Sequence, residues 1–176
     1  VRLYLCVQLN LSLNSLGPEG AAVLAPAIAV CASVTRVDVR LNNIAGDGAS
    51  QLAMAVLSNT KIEVFNEIPV KEMRANSLTE LNLKNKHIGV EGGMVLAGLI
   101  PVMASVTSVS LLANRFDDAT VAMLLKLKEE KPALTTLCGL KPDQTDANFR
   151  GWGLTPQDAK LLAPEILVHA SLTSVR

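Results

Sequence analysis

The chain has 176 residues, of which 49% are hydrophobic and only 3% aromatic. Its sixteen basic and sixteen acidic residues cancel, which removes any general electrostatic case for nucleic acid or an anionic membrane as partner. The length suits one domain with a core of Leu, Val, Ile and Ala, and the most apolar run, Ala21 to Ala32, falls short of the roughly 18 to 20 residues that cross a bilayer.

From Leu3 to Leu13 apolar and polar residues alternate, which predicts a strand of unusual length. Asn14 to Gly17 turn the chain, Pro18 takes the first helical position, Glu19 favours the positive helix end, and a helix follows to about Val30 with Pro26 inside it. A second unit repeats this, with a strand at Val37 and a helix from Asp47 or Gly48 to Leu57. The third is shortened. Matching Ile62 to Val37 gives a strand at Ile62 to Phe65, and Leu81 then follows Ile62 by only 19 residues, leaving Ile68 to Ser77 for a loop and one or two helical turns. Ser77 to Leu99 reads as a strand carrying Leu81 and Leu83, a turn rich in Gly, and a helix.

Beyond Pro101 come a strand at Val109 to Leu111 and a helix that Asp117 or Asp118 can cap, ending near Lys131. Leu137 opens a strand on schedule, yet Ala147 opens another ten residues later, so Lys141 to Asp146 inserts a turn and restarts the register. Thr155-Pro156 starts a last helix to about Val168, and Ser171-Leu172-Thr173 announces one more strand.

Leu9 to Val37, Leu81 to Val109, Val109 to Leu137 and Ala147 to Val175 are all 28 residues apart. Each pair marks an L-x-L strand followed by a turn position that holds Asn14, Asn42 and Asn114, and Trp152 in the last unit. A side-chain amide there can bond turn backbone that no ladder reaches. This motif, L-x-L-x-x-N-x-L-G-x-E-G-A-x-x-L-A from Leu9 to Ala25 and again from Val37, resembles the leucine-rich repeats of the ribonuclease-inhibitor type. Ile68 to Thr79 and Cys138 to Phe149 are also similar to segments of uncharacterised algal and dinoflagellate leucine-rich repeat proteins, a likeness that implies no activity.

The resemblance implies an α/β solenoid, a horseshoe with a parallel concave β-sheet and helices on the convex side, as one domain over 1–176 with irregular segments at 62–80 and 137–150. Neither end shows a polar capping repeat, so the expectation is a piece of a longer solenoid. On the concave face the residues between the inward positions gather Arg36, Asp38, Arg40, Lys61, Glu63, Phe65, Glu80, Asn82 and Lys84. This mixed-charge patch around one exposed aromatic has the composition of a protein interface, and its competing reading is a solvated sheet of weak ion pairs. The expected function is therefore a non-catalytic scaffold with a protein partner on that face. The alternatives are a structural subunit of a large assembly and, since one activator of small GTPases resembles this repeat type, a GTPase-activating protein using Arg115.

No cofactor, metal or catalytic constellation is expected. His87 and His169 are far apart with no Cys or carboxylate cluster, and the glycines at 89, 92 and 93 lack the Gly-Lys-Ser/Thr ending of a phosphate loop. Cys6, Cys31 and Cys138 form no C-x-x-C pair and read as buried free thiols, which favours an intracellular, reducing compartment.

Overall fold

A computed structural model describes residues 7–176. Short strands and helices alternate: β1 (Gln8–Asn10), α1 (Gly17–Val30), β2 (Arg36–Asp38), α2 (Gly46–Ser58), β3 (Val64–Phe65), α3 (Val70–Arg74), β4 (Glu80–Asn82), α4 (Gly89–Leu99), β5 (Ser108–Ser110), α5 (Asp118–Glu130), β6 (Asp146–Ala147), α6 (Pro156–Val168) and β7 (Ser174–Val175). All paired strands are parallel, with Leu9 beside Val37 and Leu81 beside Val109 as the 28-residue period requires. The alternation from Leu3 yields only the three-residue β1, and its part before Val7 lies outside the described residues.

Asn10, Asp38, Asn82 and Asn148 each accept a hydrogen bond from the backbone N–H two residues on, at 3.0 to 3.2 Å, while backbone bonds between units continue past the strands, as from Leu11 and Leu13 N–H to the Asp38 and Arg40 carbonyls. The chain then takes left-handed backbone at Leu41, Asn85 and Ala113, and at Gly151 in the last unit. Only the last of these loops uses the residue that adopts this conformation without strain.

Asn42 and Asn114 act as expected of the turn amide. Asn114 Nδ2 donates to the carbonyls of Leu83 and Leu111, both at 2.8 Å, while its Oδ1 accepts from Lys86 and Ile88 N–H at 3.1 and 3.3 Å. Asn42 similarly joins Leu11 and Val39 carbonyls. Both are buried, so each polar atom has to be satisfied by protein. Thr35, Thr107, Thr135 and Thr173 add a second repeated tie, each hydroxyl donating to a carbonyl 28 residues earlier.

The expected single sheet is divided into three: β1-β2-β3, β4-β5 and β6-β7. Two local events cause the breaks. At the first, Asn66 and Glu67 both take positive φ, and Phe65 and Ile68 exchange backbone bonds at 3.1 and 2.7 Å. This two-residue hairpin closes the outer edge of β3, so β4 starts a new sheet. Arg74 on α3 then donates to the carbonyls of Val56, Leu57, Asn59 and Ile62 at 2.9 to 3.2 Å, satisfying the end of α2.

At the second break, the strand expected at Leu137 is reduced to isolated bridges at Thr136 and Cys138. The buried Glu165 of α6 accepts the Leu137 N–H that a neighbouring strand would have bonded, at 2.6 Å, and also Thr136 Oγ1 at 2.6 Å and Lys128 Nζ at 2.8 Å. The core is continuous across both breaks, running from Ala21 through Leu52, Phe65, Leu96, Val109 and Leu124 to Leu161.

Candidate protein-binding face

The outward positions of the strands build the face. On β2, Arg36 is exposed, while Asp38 and Arg40 lock together: Arg40 Nε meets Asp38 Oδ1 at 2.9 Å and Nη2 meets Oδ2 at 2.7 Å. Partial burial opposes the charge on Asp38, but the hydrogen bonds and charge of Arg40 hold its carboxyl below the usual range; the same pairing raises Arg40. Arg40 also reaches the Lys86 carbonyl at 3.2 Å and lies 3.5 Å from Glu67, whose other oxygen is 3.9 Å from Lys86 Nζ. Four charged side chains thus span the break between the first and second sheets.

On β4, Glu80 and Asn82 are exposed. Lys84, just beyond, places Nζ 3.7 Å from the ring centroid of Trp152, which meets Phe149 edge-to-face at 5.0 Å. Leu112, the neighbour of Lys84 in the same row and an outward position by alternation, is fully buried.

Three of the predicted site residues do not belong to this face. β2 pairs with β3 as Arg36 beside Val64 and Val37 beside Phe65, so Ile62 belongs three residues earlier in the unit than a match to Val37 implies. Phe65 consequently points inward and is 0% exposed. Lys61 and Glu63 precede the strand; Glu63 pairs with Lys71 at 2.7 Å, and both line a groove with Thr35 and Arg74 at the strands' N-terminal ends. The two registers compete in the sequence because Ile62 and Phe65 are both apolar and three apart. The 28-residue spacing from Leu9 and Val37 to Phe65 is the signal that decides between them.

The structure joins Asp38 and Arg40 to Glu67 and Lys86, and Lys84 to Trp152 and Phe149, partners that alternation alone does not reveal, while Arg36, Glu80 and Asn82 stand on outward strand positions. Trp152 had one signal in the sequence, its place between Gly151 and Gly153 where other units carry Asn.

Among the described residues no cluster of three or more His, Cys, Asp or Glu is arranged to hold a metal, and no helix is long and apolar enough to cross a membrane. Cys31 and Cys138 are free thiols; Cys6 lies outside the described residues. Arg115 is an exposed loop residue at φ 60°.

Parallel strand-and-helix units at a 28-residue period, with a buried turn Asn and a polar outer strand face, define a class: a repeat protein that presents side chains from a fixed sheet. The family model described as leucine rich repeat matches residues 7–25, 30–53 and 74–97. These three segments are leucine-rich repeats, units of a kind that generally mediates protein–protein interaction. The matches skip residues 54–73, which hold the hairpin and most of the short helix of the contracted third unit.

Proposed function

We propose that this protein is a non-catalytic scaffold whose units continue as one curved solenoid of the ribonuclease-inhibitor type, with a protein partner docked on the concave strand face. The observation that carries this reading is the network of Asp38, Arg40, Glu67 and Lys86 beside Lys84 on Trp152. Charged and aromatic groups are held there in fixed positions on a rigid backbone, which lowers the entropy lost when a partner binds. Arg36 and Glu80, which form no ion pair among the described residues, are the groups left for the partner. The free Cys31 and Cys138 support a reducing, intracellular setting.

The test is photo-crosslinking in native extract, with benzoylphenylalanine at Arg36 or Glu80 on the face and at Gln51 or Glu129 on the helix side. Adducts at the two face positions only are the expected result; adducts confined to the helix positions would remove this surface. An accessory-subunit reading draws support from Val23, Val30, Leu167 and Val168, all more than three-quarters exposed on α1 and α6. Crosslinks concentrated at Val23 and Leu167 would favour that reading.

A further inference from the structure

The ion pairs leave different charges free on the two sides of the units. On the helices every lysine is engaged: Lys71 with Glu63 and Lys160 with Asp118 at 2.7 Å, Lys128 with Glu165 at 2.8 Å, and Lys126 with Glu130 at 3.7 Å. Arg74, the one helical arginine, is held by the carbonyls that close α2. Glu19, Asp47, Glu72 and Glu129 are exposed on the helices with no cation within ion-pair distance among the described residues. The free charges of the helices are therefore all negative.

On the strand side the balance is reversed. Arg40 holds Asp38 and Glu67, Lys86 also lies near Glu67, and Arg176 pairs with Asp146 at 2.8 Å. Of the carboxylates borne by the strands and the hairpin, Glu80 alone has no such partner among the described residues. Against it stand Arg36 on β2, Lys84 just beyond β4 and Arg150 just beyond β6, none of them paired with a carboxylate among the described residues. Lys84 keeps its full charge on the Trp152 ring, and Arg150 is exposed in the same loop, between Phe149 and Trp152.

A chain whose formal charge is zero thus separates its free charges, negative on the helices and mainly positive on the strands. An approaching anionic group is drawn to the strand side and turned away from the helices. The three free cations are not a continuous run, since Glu80 and the neutralised pair of Asp38 and Arg40 lie among them. A phosphate backbone carries charge at every nucleotide and meets Glu80 as well, whereas a peptide can place its carboxylates only where the cations are.

We infer that the partner docked on the strand face is an acidic protein segment, with carboxylates on Arg36, Lys84 and Arg150 and its apolar groups against Phe149 and Trp152. This rests on the docking reading above and holds only if the strand face is the docking surface.

Trp152 is the one tryptophan of the chain, so its fluorescence reports what reaches Lys84. The probe is a decaglutamate peptide titrated into the 176-residue chain, beside decalysine and a single-stranded oligothymidylate of equal length. The expected result is a saturable change with decaglutamate and none with decalysine. It should be stronger at about 0.01 M salt, where charges act over about 30 Å, than at about 0.15 M, where they act over about 8 Å. Arg36→Glu and Arg150→Glu should each weaken binding about fivefold, the upper scale of one exposed ion pair. Glu80→Gln should tighten it, and Glu129→Gln on the helix side should leave it unchanged, with circular dichroism checking that each variant is folded. No saturable change with decaglutamate, an equal change with decalysine, tighter binding of the oligothymidylate, or unaltered affinity in Arg36→Glu and Arg150→Glu would each overturn the acidic partner. If decaglutamate fails while crosslinks in extract still form only at Arg36 and Glu80, the acidic partner falls and docking on the face stands. Crosslinks confined to Gln51 and Glu129 would remove the face and the acidic partner with it.

Discussion

Replacing Asn114 with Ala measures how much the turn amide holds the units together. The side chain donates to Leu83 and Leu111 carbonyls and accepts from Lys86 and Ile88 N–H, four bonds at 2.8 to 3.3 Å on two chain segments. Asn114 is 0% exposed, so water does not replace the lost partners. Lys86 N–H and the Leu83 carbonyl also bond each other at 3.3 Å, so the groups stranded are the Leu111 carbonyl and Ile88 N–H; at about 1 kcal/mol each the variant should lose about 2 kcal/mol, a sizeable part of the roughly 5 to 15 kcal/mol that stabilises a domain. Asn14→Ala is the internal comparison. Asn14 makes the same local bonds to Leu11 and Ser12 carbonyls, but is exposed, and should cost less than about 1 kcal/mol. Urea unfolding monitored by circular dichroism, analysed by linear extrapolation, gives both values. If Asn114→Ala and Asn14→Ala lose the same amount, satisfaction of buried backbone is not what the repeat Asn provides.

Three more outcomes rest on particular contacts. Burial raises the Glu91 carboxyl to about 7 from 4.5, so the folded chain binds this proton more tightly than the unfolded one; stability from this group is full below pH 4.5 and declines by up to about 3 kcal/mol as pH rises to 7. Urea midpoints across that range should therefore fall in the wild type and stay flatter in Glu91→Gln. Glu165→Ala strands Lys128, Thr136 and the Leu137 N–H; we expect a loss of about 3 to 5 kcal/mol and faster trypsin cleavage after Lys141, whereas Glu165→Gln should lose less. Gly151→Ala forces a left-handed Ala at φ 76° and should cost about 1 kcal/mol, while Leu41→Gly at φ 60° should cost less than an exposed Leu→Gly change elsewhere, both read from thermal melts.

Much of this fold was legible because the repeat rests on local rules. The 28-residue spacing placed β1 against β2 and β4 against β5, the N-cap of Asp117 and the Thr155 cap fell where the sequence put them, and the buried turn residues Asn42 and Asn114 were identifiable from their position after L-x-L. What escaped was non-local. The Phe65 register depended on choosing between two apolar residues three apart, and the hairpin that ends the first sheet uses Asn66 and Glu67, of which Glu does not announce a left-handed turn. Glu165 lies 28 residues beyond Leu137, and nothing in α6 marks it as the acceptor of the Leu137 N–H. Half of the candidate face was therefore readable, and the half built by loops from other units was not.

The hairpin at Phe65 to Ile68 also bears on how the molecule is made. As a nascent chain emerges, β1, β2 and β3 can assemble before any residue past the hairpin exists, because every pairing among them looks backward along the polypeptide. The reversal at Ile68 then covers the outer rim of that first sheet from within the same segment, so a half-synthesised product presents no bare strand there for another chain to extend. A contracted unit that interrupts the regular array thus acts as a stopper during synthesis.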